Sequence, residues 1–446
     1  TQSRFRCQMT NDGSRALTSI GELEAQTLSA AIGRRSVLRA AAALAAAGVV
    51  GPAVLSGRAD ATASTANVSD QRFKVLQPGL GKTRGTYLRA TPQTVTWGEL
   101  PNRSSTPAAV VQSGGILTLD GVSHEGVLED QGKDPIAYFG SKGVPRGQVL
   151  DDAIDIAANK AHTGPGPHVV TGPVAVVGAE VGDVLKVETL DLALRVPYGV
   201  ISNRHGKGTL PGEYPEQFEG VLEDQPFFNQ GGNISVFAQV QRKGGTQRGV
   251  LPGRVPVSYP LSPFMGLIGV ARDTSVMVDS VPPTDAGGNL DINALVVGSA
   301  LYLPVHVPGA MFFAGDPHMA QGDGEVALTA MEGSLRATFR LTVIKPGGRA
   351  PSVAFDYPFA ETSEHWIPIG LSDPDGPEGG TQVKTLDEAM KTAVRNALAF
   401  LTRDMGMEGA IAYAYLSAAA DFVVSQVVDR TTGIHGLIRK ADFGDH

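Results

Sequence analysis

The sequence predicts a β-rich α+β protein, with sandwich- or barrel-like sheets and helices near the C-terminus. Three observations predict it. Short apolar runs recur between turns rich in the chain's 55 glycines and 29 prolines. Several of these runs alternate apolar and polar residues with a period of two, the pattern of a strand with one buried face. Helical spacing is clear only near the end of the chain.

Taken in order, Val169–Val177 and Val184–Leu194 read as strands joined by a turn at residues 180–183. Leu301, Leu303, Val305 and Val307 alternate with Tyr302, Pro304 and His306. Leu335, Ala337, Phe339, Leu341 and Val343 alternate with Arg336, Thr338, Arg340 and Thr342. Next, Leu386, Met390, Val394, Leu398 and Leu401 recur every three or four residues as one apolar stripe. Thr385 and Glu388 have the spacing of a capping box, in which each side chain satisfies an orphan amide at the helix start. Gly406 offers a stop, residues 408–416 suggest a second helix, and strand pattern returns at 421–428. No internal repeat, heptad or long charge run interrupts this plan.

Composition narrows the function. Of 446 residues, 42% are hydrophobic and 18% charged, which supports a sizeable core and excludes wholesale disorder. The net charge of −8 argues against a nucleic-acid-binding surface. A single cysteine, Cys7, excludes a disulfide within the chain and any zinc site built on several thiolates.

The first sixty or so residues read as an address. Arg34-Arg35-Ser36-Val37-Leu38-Arg39 precedes an Ala/Val/Leu/Gly run over residues 40–55, and Ala59-Asp60-Ala61 offers a cleavage site. The apolar run falls short of the roughly 20 residues that span a bilayer, so no permanent anchor is expected there. The arginine pair resembles a bacterial twin-arginine signal, with a Sec signal or a surface helix as alternatives. The expected division is residues 1–61 as export signal, 62–82 as flexible linker and 83–446 as the working domain. Export through the twin-arginine machinery would leave a periplasmic or secreted protein with no cysteine.

Several familiar motifs are absent. Gly81-Lys82-Thr83 looks like the end of a phosphate-binding loop, but Leu76 stands where that loop needs glycine, so the segment reads as an ordinary loop. No Gly-x-Ser-x-Gly elbow and no His-Glu-x-x-His pair occurs.

The densest polar region spans residues 287–332. It holds GGNLD (287–291) and GDPHMAQGDGEV (315–326). Asp316 and His318 are two apart, so on a strand they project to one side and can share an ion. Gln321, Asp323 and Glu325 follow, and His168, in GPGPHVVTGP (164–173), is the best distant partner. Crowded carboxylates need compensation, which a divalent metal supplies: imidazole with carboxylate suits zinc, and carboxylates suit calcium or magnesium. The bland readings stay open. His168 can bond a turn, His306 can be structural, Asp323 and Glu325 can sit in a solvated turn, and Asn289 and Asp291 can fix their own backbone.

These blocks, with residues 168–200, PFMGLIGVA (263–271), AYLSAAADFVVSQVVD (414–429) and GIHGLI (433–438), resemble the acetamidase/formamidase family in content and order. The resemblance covers residues 83–440. It implies a homo-oligomeric, β-rich hydrolase that converts short aliphatic amides to a carboxylate and ammonia. One departure is Thr96 in TVTWG (94–98), where many members of that family carry histidine. Without cysteine or a serine elbow, water activated by a divalent metal, zinc first and calcium second, is the expected nucleophile. The expected metal ligands are His168, Asp316 and His318. Glu325 is the expected proton carrier, and Asn289, Asp291, Gln321 and Glu332 are expected to orient the amide by hydrogen bonds. Two rivals are an exported hydrolase of the same family acting on a larger amide and a non-catalytic exported binding protein.

Overall fold

The longest alternating run, Leu335–Ile344, is an inner strand of a nine-stranded sheet, antiparallel to Gly115–Asp120 on one side and Val184–Leu194 on the other. In the computed structural model, which describes residues 73–218, 232–373 and 385–444, an eleven-stranded sheet faces it. There Phe312–Ala320 runs antiparallel to Phe264–Gly269, Val169–Val177 and Met331–Glu332. A small ribbon pairs Glu99–Leu100 with Val278–Asp279. Both large sheets are open. Phe312 from one and Phe339 from the other meet edge to face, ring centroids 5.5 Å apart, inside a shared apolar cluster with Trp97, Leu117 and Phe264. The β-rich plan with late helices is therefore what the chain adopts.

The expected strands Val169–Val177 and Val184–Leu194 form with those bounds, and Asp183 N donates to Glu180 O in the turn between them. Two strand readings need correction. The run from Leu301 stops as a strand at Pro304, whose ring leaves no amide for the ladder. In Leu335–Ile344 the first five residues are all buried, Arg336 and Thr338 included, so this end has no solvent face. Arg336 is tolerated there because its Nε lies 2.6 Å from Asp120 Oδ1.

Four helices occur among the described residues: α1 Pro135–Ser141, α2 Asp151–Asn159, α3 Leu386–Arg403 and α4 Gly409–Ala419. The mid-chain pair was not expected from sequence. α1 is only two turns long, yet it carries a clear start signal: Asp134 accepts from the amides of Ile136 and Ala137, and Pro135 occupies the first helical position. α3 forms where expected, with Thr385 Oγ1 accepting from Glu388 N. The reciprocal half of the capping box is replaced by Glu388 pairing with Lys391.

The buried face of α3 shares only Leu401 with the predicted stripe. Ala389, Ala393, Ala397, Phe400 and Leu401 are buried, while Leu386 is exposed and Met390, Val394 and Leu398 are half-buried. The reason is a close approach to the sheet: a Cβ on Gly370 would collide with the backbone of Ala389 and Ala393. Small residues on both surfaces let the helix settle, and leucines there would hold it off.

The expected export signal, its Ala61 cleavage site and Cys7 lie outside the described residues. Residues 73–82 run along the nine-stranded sheet, with Leu76 N donating to Arg195 O and Gln77 Nε2 to Val149 O, both at 2.9 Å. Gly81-Lys82-Thr83 is a loop, as read. No helix among the described residues is long and apolar enough to cross a membrane.

Candidate active site

The strand Phe312–Ala320 carries Asp316 and His318, and the two-residue spacing puts them together: His318 Nε2 lies 2.9 Å from Asp316 Oδ2. The strand is bent to do so, since Asp316 has a left-handed φ of 52°. Pairing across the sheet sets His318 opposite Phe264 on one side and Glu332 on the other, and Glu332 Oε1 comes within 3.0 Å of His318 Nε2. His168 enters just before the neighbouring strand Val169–Val177, with its Nε2 3.7 Å from Asp316 Oδ2. Asp291 arrives one turn after Gly287–Asn289, its amide donating to Gly266 O.

Gly266 is why these groups can converge. A Cβ there would collide with Asp291 Oδ1 and sit 2.6 Å from His318 Cε1 and 2.9 Å from Asp316 Oδ2. Only a bare backbone fits under the cluster. Asp291 and Glu325 are also left-handed, at 50° and 48°. For Glu325 that conformation costs about 1–2 kcal/mol, strain of the sort that collects at functional sites.

Each imidazole on the floor of the cluster is fixed through its outer nitrogen. His318 Nδ1 is 3.0 Å from Gln321 Oε1, and Gln321 Nε2 donates to the carbonyls of Asp291 and Ser425. His168 Nδ1 is 3.1 Å from Ser280 O and 3.0 Å from Ser280 Oγ. An amide nitrogen donating outwards forces the Gln321 oxygen to face His318, so His318 Nδ1 carries a hydrogen and Nε2 is the nitrogen turned inward. There, against burial, Glu332 and Asp316 raise the imidazole well above its ordinary pKa and hold a proton that a cation would displace. Bonding of that form on the far nitrogen is how proteins aim imidazoles at metals.

The electrostatics is unbalanced. Asp291, Asp316, Glu325, Glu332 and Asp429 face His124, His168 and His318, and all eight are buried. Burial raises Glu332 to about 7, aided by Asp316, and raises Asp429 to about 7. Burial also lifts Asp291 and Glu325 well above the ordinary carboxylate range, Asp291 with help from Glu325. Asp316 goes the other way: against burial, His318 and His168 hold its carboxyl well below that range. Burial drives His168 down to about 4, whereas Asp316 and Glu125 overcome burial to raise His124 to about 10. The cluster thus retains protons that a cation would displace.

Unpaired atoms point the same way. His124 Nδ1 and Nε2, both Asp291 oxygens, Asp316 Oδ1, His318 Nε2, Glu332 Oε2 and Asp429 Oδ2 are buried without a well-directed hydrogen bond. Such orphans are rare in folded proteins. The buried histidines and carboxylates form three sets whose donor atoms lie within 4.8 Å of one another: His124, His168 and Asp316; Asp316, His318 and Glu332; Asp291, His318 and Glu325. Nitrogen and oxygen donors in such sets fit a divalent cation of the zinc type.

Every expected site residue reaches this region, though not all by the same route. Asn289 is buried on its strand beside Asp429. Gln321 spends its polar atoms on His318 and on backbone carbonyls. Asp323 is exposed and bonded to Asn293, the solvated-turn reading for that residue, and His306 is not among the donor sets. Thr96 Oγ1 donates to Glu99 O. Sequence reasoning missed His124, Glu125, Asp429 and Gly266. His124-Glu125 follows the strand Gly115–Asp120 within GVSHEG, a histidine and an acid between glycines at a strand end, which was the available signal. Glu125 is held below the usual range, against burial, by Arg204 at 3.0 Å.

Part of this chain is similar to known proteins. Residues 270–437 match the Acetamidase/Formamidase family. That family match takes in Asn289, Asp291, Asp316, His318, Gln321, Glu325, Glu332 and Asp429, while His124 and His168 precede it. An acetamidase of Mycolicibacterium smegmatis is 29% identical over 203 residues, 36% of this chain and 49% of that protein. A formamidase of Methylophilus methylotrophus is 27% identical over 213 residues, 40% of this chain and 52% of that protein. The chain thus spans about half the length of the curated relatives it matches. The crystal structure of an acetamidase from Yersinia enterocolitica has the same fold, with a TM-score of 0.60, 22% identity, and coverage of 83% of this chain and 96% of that one.

Proposed function

We propose that the protein hydrolyses the C–N bond of short linear amides, of the formamide and acetamide type, to a carboxylate and ammonia. The observation that carries the reading is the buried, proton-retaining cluster in which two imidazoles, each anchored through Nδ1, turn Nε2 toward the Asp316 carboxylate. The names of the relatives, acetamidase and formamidase, agree with it.

His168, Asp316 and His318 would hold a divalent cation, zinc first and calcium second; His168 and His318 belong to different donor sets that share Asp316, and His124 lies beside Asp316 at 3.3 Å as a further donor. When bound, such an ion would supply a Lewis acid for the amide carbonyl and would make water a nucleophile near neutral pH. The chain's own groups do the rest. Glu325, within 4.0 Å of His318 Nε2, takes the proton of the attacking water and returns it to the departing nitrogen. Burial raises its pKa well above the ordinary carboxylate range, which suits the return of a proton to the amine. Asn289, Asp291 and Glu332 hydrogen-bond the amide and orient it, and Gln321 serves by fixing His318. In the same reading the chain is an exported homo-oligomer, delivered by the twin-arginine machinery on the signal at residues 1–61.

Ammonia release from formamide and acetamide by the purified protein, with and without chelator, tests this. Release that stops with chelator and returns with added zinc is the expected result. Undiminished release from protein stripped of metal, verified by elemental analysis, would sink the metal-dependent mechanism. Saturable amide uptake with no ammonia would favour a binding protein.

A further inference from the structure

Beside the carboxylate cluster lies a chamber of about 20 Å³, room for one water-sized group. Its polar end is Glu125 and Glu332, with Ser123 and Ser334, whose hydroxyls already accept the amides of Glu125 and Ser123. The rest of the wall is apolar. Phe139 comes from α1, Ala153 from α2, and Tyr198 and Val200 from the strand Tyr198–Asn203.

Each of these walls is fixed. Tyr198 donates its hydroxyl to Gln148 O at 3.0 Å, so its ring is left as a bare apolar face, 4.8 Å from Phe139 centroid to centroid. Phe139 closes onto the segment bearing His124 and Glu125 because Gly126 has no side chain; a Cβ there would collide with the ring. Val200 is registered directly opposite Glu332 across the sheet.

Glu125 already accepts from Arg204 and Gln131, and the Ser123 and Ser334 hydroxyls already accept backbone amides, so most of the polar lining is engaged elsewhere and the remaining wall is apolar. A methyl group needs no hydrogen bond and gains from every wall. Resting on the hydrolase reading above, we propose that the chamber is the acyl pocket, and that Ala153 and Val200 set the length of acyl chain accepted. With the amide carbonyl and nitrogen among the carboxylates and histidines, the hydrogen of formamide leaves the chamber unfilled. The methyl of acetamide fills it, and the ethyl of propionamide exceeds it. The two mid-chain helices thereby acquire a role in specificity.

The test is kcat/KM for ammonia release from formamide, acetamide and propionamide by the wild type, Val200→Ala and Ala153→Val, with melting curves to verify folding. In apolar pockets one methylene is worth roughly 10–200-fold. Val200→Ala is expected to raise propionamide relative to acetamide by a factor in that range. Ala153→Val is expected to lower acetamide relative to formamide by a similar factor. Folded variants with the wild-type ratios overturn the pocket assignment while leaving the hydrolase reading intact. If Ala153→Val does not fold, Val200→Ala decides alone. A wild type that releases no ammonia from any of the three overturns the hydrolase reading, and the acyl pocket falls with it.

Discussion

Two buried charged regions flank one short stretch of chain, and they are built on opposite principles. At Asp120, Arg195 and Arg336 face Asp120 and Asp152: Arg195 Nη1 lies 2.7 Å from Asp152 Oδ2, Arg336 Nε lies 2.6 Å from Asp120 Oδ1, and Tyr87 donates to Asp120. Two cations meet two anions, and both arginines also donate to carbonyls of the segment at residues 76–80. A few residues on, at His124, five carboxylates crowd three imidazoles and leave a set of unpaired atoms. Burial is equal in the two regions; neutralisation is not. The balanced network fastens one segment to a sheet, whereas the unbalanced cluster is held together by the surrounding backbone and retains protons in place of a cation. Buried charge by itself therefore says little about function. Buried charge left uncompensated says a good deal.

The largest expected effect lies in the unbalanced cluster. Replacing Glu325 by Gln should cost about 10²–10⁴-fold in kcat for amide hydrolysis, with no loss in the stability of the metal-free protein. A Glu332→Gln variant measured beside it assigns the proton carrier, since burial raises Glu332 to about 7. If Glu325→Gln kept full activity while Glu332→Gln lost it, the carrier would be Glu332. The balanced network should behave the other way. Arg195→Met leaves Asp152 without its partner, while Asp120 keeps Arg336 and Tyr87, and breaking a buried pair costs about 3–5 kcal/mol. Urea unfolding should show that loss; a change below about 1 kcal/mol would place this network with weak surface pairs.

Adding zinc to metal-free protein at 100 times its Kd should stabilise the fold by about 2.7 kcal/mol, read as a rise in melting temperature. Asp316→Asn should abolish the rise, because Asp316 belongs to two of the three donor sets. An equal rise in that variant would show that the ion binds elsewhere.

A neutral buried group belonging to neither region gives the smallest effect. Burial lowers His435 to about 4, and its Nδ1 is 2.8 Å from Ser425 Oγ. Between the unfolded value near 6.5 and that folded value, the unfolded chain binds the extra proton. Stability from this group is therefore complete above about pH 6.5 and falls as pH drops toward 4, by about 2 kcal/mol between pH 7 and 5. His435→Gln should flatten that part of the stability profile. An unchanged slope would mean that other groups set it.

Legibility followed distance along the chain. Asp316 and His318 were readable because strand geometry alone puts residues two apart on one side. Glu325 and Glu332 followed in the same dense stretch. His124 was not readable: it meets Asp316 only because Gly115–Asp120 pairs with Leu335–Ile344, and because Ser123 N donates to Ser334 Oγ. Asp429 arrives likewise, from the far end of the chain. In α3 the stripe of large residues hid the alanine face, since spacing records hydrophobicity and is blind to how closely a helix must approach its sheet.

The order of residues by itself determined where several of the strands run, where the late helices lie, the lack of a Gly-x-Ser-x-Gly elbow and of a second cysteine, and the family resemblance of residues 287–332. These follow from local periodicity and composition, which each stretch carries without its neighbours. Only the tertiary structure decided which carboxylates share a site, which nitrogen of His168 and His318 points inward, that Gly266 leaves room for the cluster, and that α1 and α2 wall a chamber beside it. Those are consequences of register between strands far apart in sequence. A shift of one residue in that register would turn every one of these side chains to the opposite face.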